Sequence, residues 1–128
     1  MNTIMTTVVN VKVAHIRPRY KDLSDWMKDP NNFYIGRAGV VFIDGKRFPT
    51  PSAVSAFHNP FKVGAHGTRE NVIEKFETYI RGKLSENPEL VNELLSMRGK
   101  SLGCWCKPEA CHGDVLVRLI EEYASKPA

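Results

Sequence analysis

The spacing of hydrophobic positions changes several times along the chain, and each change predicts a different element. Val8, Val9, Val11 and Val13 form a β-branched run that predicts a strand buried on at least one face and opening the sheet. Pro18 ends that run, and Lys21 to Lys28 spells two helical turns that Asp29-Pro30 stops. Phe33-Tyr34-Ile35-Gly36-Arg37 predicts a second short strand, with Gly36 where the backbone bends or approaches a neighbour closely. Val40 to Ile43 and Lys46 to Phe48 flank Asp44-Gly45, a dipeptide tolerant of positive φ, and predict a hairpin closed by a two-residue turn. Pro49-Thr50-Pro51-Ser52 then leads by way of a loop to Asn59-Pro60-Phe61.

The second half is more regular. Thr68 is placed to cap a helix whose apolar residues Val72, Ile73, Phe76, Tyr79 and Ile80 recur at helical spacing. Asn87-Pro88 is a cap followed by proline in the first turn, and it starts a second helix with Leu90, Val91, Leu94 and Leu95 inward until Gly99 closes it. Lys100 to Cys106 has the character of a buried strand until Pro108 breaks it. Val115, Leu116, Leu119, Ile120 and Tyr123 define a last amphipathic helix. Later strands are thus separated by helical segments, the arrangement that parallel pairing requires. The expected fold is one α/β domain over residues 1–128, a small and at least partly parallel central sheet flanked by three helices, with Rossmann-like topology.

Composition narrows the setting. The chain has 128 residues, 42% of them hydrophobic, enough for one core. No apolar run is long enough to span a membrane, and Met1 to Asn10 lacks the build of a secretory signal, so a cytoplasmic location is expected. Three cysteines in such a reducing compartment argue against a structural disulfide. With 18 Lys and Arg against 14 Asp and Glu the net charge is +4, which suits an anionic small molecule or nucleic acid as partner; charge alone names neither.

All three cysteines and one of four histidines fall in Gly103-Cys104-Trp105-Cys106-Lys107-Pro108-Glu109-Ala110-Cys111-His112-Gly113-Asp114. Strand alternation sends Cys104 and Cys106 to one side and Trp105 to the other, while Cys111-His112 falls at the start of the last helix, where free N–H groups favour anions and a thiolate. Three readings fit: a zinc site on Cys104, Cys106, Cys111 and His112; a catalytic or ligand-binding pocket; and cysteines that fill space. The adjacency of Cys111 and His112 and the single-residue gap between Cys104 and Cys106 weigh against zinc. Asp114, a further polar group beside His112, weighs against inert filling.

A second constellation, Asn59-Pro60-Phe61-Lys62 followed by Gly64-Ala65-His66-Gly67-Thr68-Arg69, is a glycine-containing loop entering a helix start. It is suited to a phosphate, although its spacing matches neither the P-loop nor the dinucleotide fingerprint, and a plain loop before a capped helix accounts for it as well. His58 and His66 read as solvated loop histidines, and His15 as nothing specific. Arg37, just beyond the strand Phe33 to Ile35, is placed to meet a ligand at the strand's carboxyl end, although a surface arginine is the plainer reading.

Taken in order, Tyr34-Ile35-Gly36-Arg37, Asn59-Pro60-Phe61, Gly67-Thr68-Arg69-Glu70 and Leu102-Gly103-Cys104-Trp105-Cys106 to Cys111-His112-Gly113-Asp114-Val115-Leu116 resemble a widespread bacterial and phage family catalogued only as a domain of unknown function. The resemblance implies a small α/β fold, frequent phage association and a shared site, with no established activity. Members pass almost directly from Tyr-Ile-Gly-Arg to Trp-Gly-Asn-Pro-Phe. Here Ala38 to Ala56 intervenes and Phe57-His58 replaces Trp-Gly, so 38–56 reads as a peripheral hairpin insertion.

The leading functional expectation is binding of, and action on, a nucleotide, nucleoside or related phosphorylated ligand. Arg37, Asn59, Lys62 and Arg69 would bind it, with Cys111 as nucleophile, His112 as general acid or base and Asp114 as orienting carboxylate. The alternative is a zinc-stabilised nucleic-acid-binding module, in which the basic surface meets phosphates. Thiol–disulfide exchange is a weaker third reading, because the motif lacks Cys-x-x-Cys spacing.

Overall fold

A computed structural model describes residues 5–36, 40–43, 46–49, 57–105 and 109–125. The chain is α/β. Strand β1 (Thr7–Asn10) is followed by a single helical turn, α1 (Val13–Ile16), and by α2 (Leu23–Met27), then by β2 (Asn32–Tyr34). The hairpin β3 (Val40–Ile43) and β4 (Lys46–Pro49) comes next, then α3 (Arg69–Glu86), α4 (Pro88–Ser96), β5 (Ser101–Cys104) and α5 (His112–Ala124).

The main sheet has three strands, all parallel, in the order β1-β5-β2. The strand formed last in sequence is therefore central, with Val9 and Tyr34 both paired to Gly103. Parallel pairing demands long crossovers, and the two crossovers run over opposite faces. α2 sends Leu23 and Trp26 into a core with Val11, Ile16 and Tyr34 on one face. α3, α4 and α5 cover the other with Phe76, Ile80, Leu94, Leu116 and Leu119, all fully buried. Alternation along the strands matches: Val8, Phe33, Leu102 and Cys104 join the three-helix face, Val9, Tyr34 and Trp105 the α2 face. Connections that leave β1 and β2 on opposite faces open a crevice at the carboxyl edge of the sheet, above β5.

Most predicted elements form, and their ends are set by local chemistry. Thr68 caps α3 in a reciprocal box with Asn71, and Asn87 caps α4 with Pro88 inside the first turn. Asp22 caps α2 by accepting from the Asp25 N–H at 2.9 Å. One element differs: the valine run does not continue as a strand, because β1 ends at Asn10, whose Oδ1 accepts the Lys12 N–H at 2.8 Å and turns the chain into α1. The hairpin pairs antiparallel with Ile43 opposite Lys46, as a two-residue connection requires, and forms a sheet of its own. The Asp44-Gly45 turn lies outside the described residues.

On the surface, α3 and α5 are joined by Arg81, which bonds both Glu77 and Glu122, and by Arg118, which bonds Glu77 at 2.8 Å. The two guanidinium groups hold the Glu77 carboxyl below its ordinary range. Exposed pairs of this kind contribute little each; the apolar faces carry the stability.

Gly103 shows how tightly the sheet is packed. A methyl group there would lie 2.5 Å from Trp26 Cη2 and 2.6 Å from Val11 Cγ1, so the indole rests directly on the β5 backbone. Gly103→Ala is expected to cost about 1–3 kcal/mol through overpacking, read from chemical denaturation; unchanged stability would mean that Trp26 can move off the strand. Excision of residues 38–56 is expected to leave near-wild-type stability and circular dichroism, since loop closure costs change by only about 0.6 kcal/mol per doubling of length. A large loss would show that the hairpin shares the core.

Candidate functional site

The crevice above β5 holds a cavity of about 460 Å³, within the size range of small-molecule sites. Three segments build it. Gly36 closes the end of β2; the loop Asn59 to Val63 and the first turns of α3 form one wall; and Cys104, Trp105 and the start of α5 form the other.

The sulfur and nitrogen chemistry sits at the junction of β5 and α5. Cys104 ends β5 and Cys111 caps α5, both essentially buried. The Cys111 thiol donates towards Cys104 Sγ at 3.1 Å, and Cys111 Sγ accepts the Gly113 N–H at 3.3 Å. Asp114 completes the cap, its Oδ2 accepting the Cys111 N–H at 3.1 Å. A cysteine thus does the capping work usually given to serine or aspartate.

His112 is the first residue of α5 and is buried. Its Nε2 lies 2.9 Å from the Ile35 carbonyl oxygen. A carbonyl only accepts, so Nε2 carries a proton; in the neutral imidazole the Nδ1 lone pair then faces Cys111 Sγ at 3.7 Å. Phe76 packs edge-on against the imidazole with ring centroids 5.0 Å apart. Ring orientation and tautomer are both defined by these neighbours, the condition for a base to serve an adjacent thiol.

Arg69 opens α3, and its Nη1 donates to the Ala110 carbonyl at 3.2 Å, which ties the start of α3 to the residue before Cys111. Lys62 lies at the exposed mouth of the cavity. Asn59 is buried and braces the loop: its Nδ2 donates to the Val72 carbonyl at 3.3 Å, and its Oδ1 accepts the Phe61 N–H at 2.9 Å. His66 is exposed and its Nδ1 accepts the Lys62 N–H at 2.8 Å, a bond that shapes the loop together with Gly64 and Gly67, both at positive φ.

The structure therefore brings Asn59, Lys62, Arg69, Cys104, Cys111 and His112 to one cavity. Asp114 lies at the same helix start, where its Oδ2 accepts the Cys111 N–H, and the Ile35 carbonyl accepts from His112 Nε2. Arg37 and Cys106 lie outside the described residues. Among the described residues, no group of three or more His, Cys, Asp or Glu side chains is arranged to hold a metal ion. The Ile35 carbonyl, a backbone group, leaves no mark on residue identity, whereas Phe61 and Trp105, which lie within the two constellations, also line the cavity. Trp105 is braced by its Nε1–H donating to the Tyr34 hydroxyl at 2.8 Å. Gly113 was a readable signal: a methyl there would meet Val8 Cγ1 at 2.9 Å and Ile35 Cδ1 at 3.0 Å, so a glycine lets α5 seat its first turn on the sheet.

The chain matches a domain of unknown function, DUF4326, over residues 19–122. It is 32% identical over 80 residues to an uncharacterized protein of Acanthamoeba polyphaga mimivirus, covering 54% of this chain and 58% of that protein. It is 35% identical over 54 residues to an uncharacterized 12.4 kDa protein from the nrdA-td intergenic region of Enterobacteria phage T4, covering 42% of this chain and 50% of that one. The chain thus spans about half the length of these curated relatives. No solved structure matches it. No helix among the described residues is long and apolar enough to cross a membrane.

The capping role of Cys111 can be measured. Cys111→Ser is expected to retain stability, because a hydroxyl caps at least as well as a thiol, whereas Cys111→Ala should lose about 0.5–2 kcal/mol. Equal melting of the two variants would show that the cap contributes nothing.

Proposed function

Because the chain belongs to the DUF4326 family, whose name carries no activity, we propose its function from the geometry: it binds a nucleotide, nucleoside or related phosphorylated ligand in the cavity above β5 and presents a thiol–imidazole pair to it. The observation that carries this reading is the shared cavity, in which Lys62 and Arg69 stand on one wall and Cys111 with His112 on the other. The cations and the N-terminal turn of α5 suit an anionic group. Trp105, Phe61, Val63 and Ile73 supply the apolar and aromatic surface on which a planar base would stack. Arg37, next in sequence to cavity-lining Gly36, belongs to the proposed anion-binding set.

Cys111 is the reactive group in this reading. Its proton passes to His112 Nδ1; the Gly113 N–H then stabilises the thiolate, and the Ile35 carbonyl supports the imidazolium through Nε2–H. The thiolate is then poised to attack an electrophilic centre of the bound ligand. Asn59 and Asp114 act as positioning residues, the first holding the loop and the second the cap.

Titration with nucleoside mono- and diphosphates, followed by amide chemical shifts, should move residues of the Asn59 loop and the α5 first turn together. Lys62→Ala is expected to weaken binding with its melting temperature unchanged, by about tenfold or more if a charge-assisted bond of about 1.5–3 kcal/mol is lost. Bound ligand should also slow alkylation of Cys111. A panel of nucleotides that shifts nothing and protects no thiol would overturn the proposal. About one equivalent of zinc by elemental analysis, with a large fall in melting temperature on chelation, would favour the zinc-stabilised nucleic-acid-binding module instead.

A further inference from the structure

Cys104 and Cys111 have a relation that ligand binding does not use. Their sulfurs are 3.1 Å apart, on different elements, the last residue of β5 and the N-cap of α5, and both line the cavity. A disulfide needs about 2.05 Å between sulfurs, so an approach of about 1 Å would join them. The two thiols are also unlike. Cys111 has the Gly113 N–H and the His112 imidazole beside it, groups that favour its thiolate. Cys104 is the thiol that Cys111 meets.

We infer that Cys111 is a peroxide-reactive thiol and Cys104 its resolving partner, so that hydrogen peroxide entering the cavity converts the pair to an intramolecular disulfide. The Cys111 proton moves to His112 Nδ1 and the thiolate attacks one peroxide oxygen. The O–O bond breaks, and the departing hydroxide takes the imidazolium proton and leaves as water; Cys111 is oxidised to a sulfenic acid as the peroxide is reduced. The Cys104 sulfur then attacks the Cys111 sulfur, the S–O bond breaks, and hydroxide leaves with the Cys104 proton as a second water. Two thiols and one peroxide give one disulfide and two waters. Peroxide is small enough to enter the cavity that both thiols line, and a reducing thiol such as glutathione reverses the bond by exchange.

The disulfide stands on the thiol geometry alone. Its consequence for ligand binding rests on the function proposed above: oxidation removes the Cys111 thiolate and shifts the start of α5, where the ligand's anionic group would sit. The site would thus be switched off by peroxide and restored by reduction.

The test uses the full chain with Cys106→Ser, so that Cys104 and Cys111 form the one available pair. Reduced protein is treated with hydrogen peroxide, quenched with N-ethylmaleimide and digested without reductant. Expected are loss of both maleimide adducts, a mass lower by two hydrogens, and a fragment linking Cys104 to Cys111. Adding Cys104→Ser should stop the reaction at a sulfenic acid that dimedone traps at Cys111, whereas Cys111→Ser, which retains a capping oxygen, should leave Cys104 unoxidised over the same time. Lys62→Ala, expected to lose ligand affinity, should oxidise like the parent, so failure to oxidise and failure to bind are read separately. Two thiols that remain fully alkylatable after peroxide treatment of the folded protein would overturn the inference, as would dimedone trapping at Cys104 instead of Cys111.

Discussion

The bond from His112 Nε2 to the Ile35 carbonyl holds the site together. It joins residues 77 positions apart and locks the first turn of α5 to the end of β2 across the central strand. A buried imidazole without such an acceptor would leave an unsatisfied donor at a cost of about 1–3 kcal/mol. The bond therefore fixes the helix position as well as the tautomer, and the lone pair on Nδ1 faces Cys111 as a consequence. The cap made by Cys111 and Asp114 depends on the same seating, since it requires the chain to enter α5 from β5 at this angle.

That seating is possible because glycine occupies two places where backbone meets side chain. Gly113 brings α5 down onto Val8 and Ile35 on one face, and Gly103 admits Trp26 and Val11 on the other. Among the described residues this sheet is three strands wide, and the two glycines stand next to cavity-lining Cys104 and His112 in sequence. A small domain can build an organised crevice in this way because both faces of the central strand are covered at close range.

The walls divide by chemistry. One comes from a loop shaped by positive-φ glycines and braced by the buried Asn59 amide, and it ends at Arg69, the first residue of α3. The other comes from the strand–helix junction and carries the thiols and the imidazole. The Arg69 bond to the Ala110 carbonyl crosses from the first to the second, so a charge that draws Arg69 away would also release the residue preceding Cys111.

Much of this was legible in the chain. The caps at Thr68 and Asn87, the helical spacing of the last three helices, the hairpin and the strand before Cys104 all depend on residues near one another in sequence, and local propensity and capping decide them. The Cys-His cluster stood out as a candidate for the same reason, since its donors are neighbours along the chain. The end of β1 was misread, because four valines outweighed Asn10, whose side-chain bond to the Lys12 N–H turns the backbone. What only the tertiary structure decided were relations between distant segments: the central position of β5, the gathering of Lys62, Arg69 and Cys111 at one cavity, the approach of Cys104 to Cys111, and the choice of Ile35 as partner to His112. Strand order rests on which faces the crossovers cover, and a backbone carbonyl has the same chemistry at every residue. Neither leaves a mark on side-chain identity, so packing alone selects them.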